Sequence, residues 1–85
     1  MKESIFASSI WNVFGVFAQE PLSMHYIKEI SRKINLAPTS VKKYILDLEK
    51  NNMIIKKKGE RFEGYKANRE NQSFLFYKKL LNLMN

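Results

Sequence analysis

Apolar residues recur along this chain first at helical intervals, then at strand intervals, then at helical intervals again. Over residues 4–18, SIFASSIWNVFGVFA, the apolar positions Phe6, Ile10, Val13 or Phe14, and Phe17 are three or four apart, which predicts an amphipathic helix. Ser4 is placed to cap it, and Glu20-Pro21 ends it. Trp11 lies off the main stripe, so this helix is expected to have a second, partly covered side. Ser23 is expected to cap a second helix over 23–34, with Ile27, Ile30 and Ile34 along one side and Lys28, Arg32 and Lys33 on the other. Asn35 tolerates the left-handed backbone that stops a helix, and Pro38 suits the first turn of the next one, where its missing N–H costs nothing. The third helix, 38–51, carries Val41, Ile45 and Leu48 on one stripe and ends at Asn51-Asn52. A connection this short forces the second and third helices to cross steeply, as in a helix-turn-helix.

After Asn52 the period changes. MIIKKKGERFEGYKAN has β-branched and aromatic residues on both sides of Gly59-Glu60, which predicts a β-hairpin over 53–67 with strands near 53–58 and 61–67. Gly64 inside the second strand is a candidate bulge. Residues 73–84, SFLFYKKLLNLM, read as a last helix, with Phe74, Tyr77, Leu81 and Met84 on one side and Phe76, Leu80 and Leu83 on another. A helix apolar on two sides needs two partners. The expected fold is therefore mainly α with a small β-hairpin: a single winged helix-turn-helix domain of three helices, a hairpin wing and a fourth helix.

Composition narrows the function. With 85 residues the chain can close one modest core. It has no cysteine and only one histidine, His25, so thiolate metal sites and a conventional catalytic triad are excluded, and no cofactor is expected. His25 is read as a surface or helix-start residue. No phosphate-binding loop, paired catalytic carboxylates or nucleophile–base pair is present, so no enzymatic activity is expected. No apolar run is long enough to span a bilayer and no signal peptide is evident, which predicts a soluble, cytoplasmic protein with no membrane partner. The formal charge of +7 is concentrated in the middle: residues 28–66 hold eleven Lys and Arg against five acidic residues. An anionic partner follows from that distribution.

The third helix states the partner most clearly. Opposite its apolar stripe, the first turns crowd Thr39, Ser40, Lys42 and Lys43, with Tyr44 beside them. Short hydroxyls and flexible ammonium groups at a helix start can reach base edges and phosphates, and the dipole there favours anions. No arginine lies in this helix, so the strongest bidentate reader of guanine is absent. The wing adds Lys56, Lys57, Lys58, Arg61 and Lys66, which alternation distributes over two faces. Arg61, beside the tip, is the candidate for a minor-groove or phosphate contact, and Arg32 of the second helix is a further candidate.

Residues 27–55, IKEISRKINLAPTSVKKYILDLEKNNMII, resemble the core of prokaryotic winged-helix regulators of the arsenical-repressor and multiple-antibiotic-repressor type. The resemblance rests on Ile27 and Ile30, the turn residue Asn35, Leu36 followed by Ala37-Pro38, the Val41/Ile45/Leu48 spacing, Asn52, and the apolar strand start Met53-Ile54. Two positions depart from that pattern: Ala37 stands where Ser or Thr often precedes the proline, and Leu46 where a polar residue is usual. The resemblance implies a sequence-specific, double-stranded-DNA-binding transcription regulator whose third helix enters the major groove. It also implies pairing of two subunits through the terminal helices, here Phe6, Trp11 and Phe14 with Phe76, Leu80 and Leu83. The alternative is a winged helix used as a protein-interaction or targeting module of a larger assembly, with Leu46 and the last helix as its working surface. RNA binding ranks lower, because no exposed aromatic platform is evident.

Overall fold

The structure, a computed structural model, describes residues 8–84. Helix α1 spans Ser9–Gln19, α2 Ile27–Ile34, α3 Pro38–Lys50 and α4 Gln72–Met84, with strands β1, Ile54–Lys58, and β2, Glu63–Ala67, between α3 and α4. Ser4 and Phe6 lie outside the described residues. Ser8 is extended and its hydroxyl accepts the Trp11 N–H at 3.4 Å, so α1 starts at Ser9.

The second helix starts at Ile27, not at Ser23, and the reason is a pairing that local periodicity cannot reveal. His25 exchanges both backbone hydrogen bonds with Tyr65 of the wing, at 2.7 and 2.8 Å, which holds residues 24–26 extended. At its other end α2 stops at Asn35, whose φ of 54° is left-handed. The Leu36 N–H then reaches back to the Ser31 carbonyl at 3.1 Å, while the Ser31 hydroxyl donates to the Leu36 carbonyl. The chain turns sharply there into Pro38, at the start of α3. Asn52, with φ 60°, repeats the device after α3: the Met53 N–H returns to the Leu48 carbonyl at 3.0 Å.

The hairpin is antiparallel, with Ile54 opposite Ala67 and Lys58 opposite Glu63, and its register runs unbroken through Lys57 and Gly64. Gly64 therefore marks no bulge. It is glycine because a Cβ there would sit 2.8 Å from Met24 Cε, 2.8 Å from Tyr26 Cε1 and 3.2 Å from the His25 carbonyl. Asn68 and Asn71 fasten the wing's exit to the end of α3. Asn68 Nδ2 donates to the Asn52 carbonyl at 2.8 Å, and Asn71 Oδ1 caps α4 through the Phe74 N–H at 2.9 Å.

The core collects Val13, Phe14 and Phe17 of α1, Ile30 of α2, Val41, Ile45 and Leu48 of α3, Ile54 and Tyr65 of the wing, and Phe74 and Leu81 of α4. Aromatic rings join α1 to α4: Phe14 meets Phe74 at 5.2 Å and Trp11 meets Tyr77 at 6.0 Å, both edge-on.

Candidate nucleic-acid interface

Helix α3 is divided lengthwise. Val41, Ile45 and Leu48 are buried against the other helices, and this fixes the rotation of the helix about its own axis. Thr39, Lys42, Lys43, Leu46, Asp47 and Lys50 are exposed along the opposite side. Ser40 is half-buried, as is Tyr44, which packs against the core. The Lys43 ammonium lies 5.9 Å from the centroid of the Tyr44 ring, at the outer reach of a cation–π contact.

The start of α3 is open to an anion. Ala37 occupies the cap position with no side-chain hydrogen bond, and no acidic residue lies in the first turn. The first N–H returned to the backbone is that of Val41, to the Ala37 carbonyl at 3.0 Å, so the N–H groups of Thr39 and Ser40 have no helical acceptor. An alanine cap leaves this helix less stable by itself, and it leaves the donors free.

The basic residues fall into two sets. Lys33 is held by Glu20 at 3.2 Å, and Lys56 by Glu63 at 3.1 Å. The Glu63 carboxylate, by hydrogen bond and charge, holds the Lys56 ammonium above its ordinary pKa. Among the described residues Lys28, Arg32, Lys42, Lys43, Lys50, Lys57, Lys58, Arg61, Arg69 and Lys79 are exposed and form no ion pair. In the hairpin, Lys57 and Lys66 share the face of Gly64, while Lys56 and Lys58 share the face of Tyr65. Lys57, Lys58, Arg61 and Lys66 line one open cleft beside the wing with Met24 and Tyr26. Lys28 and Arg32 line a second one between α2 and the wing.

Three expectations change. His25 is not a surface residue: it is 1% exposed, with Nε2 2.9 Å from the Glu20 carbonyl and Nδ1 3.2 Å from Glu29 Oε1, and its ring edge-on to Phe17. An exposed aromatic does exist, because Phe62 at the wing tip is 71% exposed. Of the residues expected at a subunit interface, Trp11 and Phe14 are taken into the core of a single chain, stacked on each other at 5.4 Å. Leu80 is half-buried on that core, and Phe76 and Leu83 remain exposed on α4 together with Leu75.

Among the described residues no group of three His, Asp or Glu side chains is arranged to hold a metal ion. Nor, among the described residues, is any helix long and apolar enough to cross a membrane.

No protein-family model and no curated protein matches this chain. Among solved structures, a mutant of ZitR from Lactococcus lactis superposes on 96% of this chain with a TM-score of 0.69 and 13% sequence identity. The chain spans 56% of the length of that ZitR chain. At this identity the likeness is one of fold, and the fold is a winged helix.

Proposed function

We propose that this protein binds double-stranded DNA sequence-specifically and regulates transcription in the cytoplasm, with α3 in the major groove and the wing on the backbone or minor groove. The observation that carries the reading is the outward side of α3. Its buried stripe turns Thr39, Lys42 and Lys43 to solvent beside two free N–H groups, and neither lysine is held in an ion pair. Thr39 and Ser40 contact bases or phosphates at the start of the helix, and Lys42 and Lys43 reach guanine acceptors or phosphate oxygens. Tyr44 offers its hydroxyl to the backbone, and Leu46 sits one turn further along, where an apolar side chain meets a thymine methyl group. Lys57, Arg61 and Arg32 add phosphate contacts from the wing and α2.

The exposed side of α4, with Leu75, Phe76 and Leu83, supports a homodimer in which two copies of α3 address two half-sites. Relative to the sequence expectation the seam moves off Trp11 and Phe14 and onto α4. A second reading, a protein-interaction module, draws on Leu46, which is 47% exposed on the same side of α3.

The test is fluorescence anisotropy on a labelled mixed-sequence duplex at about 50 and 200 mM salt. About five phosphate contacts per protomer give a log–log slope near −4.5, a loss of roughly two to three orders of magnitude over that range. The Lys42→Ala/Lys43→Ala protein should bind more weakly, with a slope shallower by about 2. Binding that ignores both lysines, or no binding, would overturn the docking and move the function to the apolar surfaces.

A further inference from the structure

The wing tip carries a feature that phosphate binding leaves unused. Phe62 is the most exposed aromatic residue among those described, and it stands as a ridge between two clefts. On one side are Lys57, Lys58, Arg61 and Lys66, and on the other Lys28 and Arg32. The acids near it are Glu60, in the first cleft, and Glu63, which is occupied by Lys56. The tip is held in shape. The Gly59 N–H donates to the Phe62 carbonyl at 2.9 Å, and a Cβ on Gly59 would lie 2.6 Å from that oxygen and 2.9 Å from the Tyr26 hydroxyl. The ring is thus carried on a closed loop braced against Tyr26.

A rigid apolar ring flanked on both sides by unpaired cations matches the minor groove, a slot about 6 Å wide between two rows of phosphates. Taking DNA binding as proposed above, we infer that Phe62 is a wedge that enters the minor groove and partly unstacks one base step, while Lys57/Arg61 and Lys28/Arg32 hold the two flanking strands. Apolar wedges of this kind kink DNA away from the minor groove by about 20–90°, at the cost of unstacking a base step. That cost is lowest at flexible pyrimidine–purine steps. The wedge therefore selects TA and CA steps without a single base-edge hydrogen bond, which offsets the missing arginine in α3.

The test uses short duplexes with 2-aminopurine beside one TA step and a donor–acceptor dye pair at the ends. Binding is followed by anisotropy in parallel. The native chain should raise 2-aminopurine emission and bend the duplex by about 20–90°. Phe62→Ala should still bind with salt dependence but lose both signals, and Phe62→Leu should restore part of them, since leucine also serves as a wedge. Phe62 is too exposed for either change to threaten folding, and equal thermal midpoints check this. Tight, salt-sensitive binding by the native chain without emission change or bending overturns the wedge and leaves the DNA-binding reading standing. Full signals from Phe62→Ala overturn it as well. Absence of any binding removes both.

Discussion

Replacing Ile45 by alanine tests the feature on which the whole interface depends, the rotation of α3 about its axis. Ile45 is fully buried between Val41 and Leu48 on the inner stripe. The change deletes three carbons, worth about 0.8 kcal/mol each in transfer free energy, or about 2.4 kcal/mol. Incomplete closure of the resulting cavity brings the expected loss to about 3–4 kcal/mol, inside the usual range for this substitution. For a domain of this size that is a shift in thermal midpoint of roughly 12–30 °C. Urea unfolding provides the assay, because Trp11 is the only tryptophan and is packed against Phe14 and Tyr77 in the native state. With a urea slope near 1–2 kcal/mol/M, the midpoint should fall by about 2–3 M. The neighbouring exposed substitution Lys43→Ala should leave stability within about 0.5 kcal/mol and weaken DNA binding. A loss below about 1 kcal/mol at Ile45, or equal losses at the two positions, would refute the reasoning. The inner and outer stripes would then be misassigned, and with them every proposed contact of Lys42 and Lys43.

Gly64→Ala should destabilise by about 1–3 kcal/mol, because its methyl group meets the Tyr26 ring and the His25 backbone as well as the pliable end of Met24. An unchanged urea midpoint would show that residues 24–26 do not press on the wing. The Lys56–Glu63 pair gives a pH dependence of defined sign. Its raised lysine pKa means that the stabilisation is complete below the unfolded lysine value of about 10.4 and is lost as pH rises through the folded value. Between neutral pH and about pH 10 the difference in thermal midpoint between the native chain and Glu63→Gln should be constant, and above that it should shrink. Both side chains are exposed, so the effect is small, and a difference that grows with alkalinity contradicts the pairing.

What could be read from sequence was what local chemistry decides. Asn35 and Asn52 are left-handed because each ends a helix whose next N–H must turn back, and Pro38 starts one because its missing N–H is not needed there. The Val41/Ile45/Leu48 period gave the buried side of α3 directly. The errors all came from contacts distant along the chain. Residues 24–26 look ready to continue α2, and only Tyr65 draws them into an extended pairing. Gly64 resembles a weak point until Met24 and Tyr26 are seen against it. Trp11 and Phe14 could have served an interface or a core equally well, and the arrival of Phe74 and Tyr77 on α4 decided for the core. Asn68 and Asn71 carried no periodic signal at all, yet they tie the wing's exit to α3.

The same distant contacts set the geometry on which the proposed DNA recognition depends. A two-stranded hairpin by itself is only marginally stable, so β1 and β2 cannot hold the wing at a fixed angle to α3. His25 supplies the missing constraint. Its backbone adds a third pairing along β2, its ring packs on Phe17 of α1, and its two nitrogens face the Glu20 carbonyl and the Glu29 carboxylate. A carbonyl oxygen only accepts, so Nε2 carries the hydrogen toward Glu20, and the ring is fixed between the end of α1 and the first turn of α2. Wing, α1 and α2 thus meet on one buried side chain, and the tight turn at Asn35 passes that placement on to α3. The core stripe sets which way Lys42 and Lys43 face. The distance from them to Arg61 and Phe62 follows from His25, a residue that touches no nucleic acid in the proposed complex.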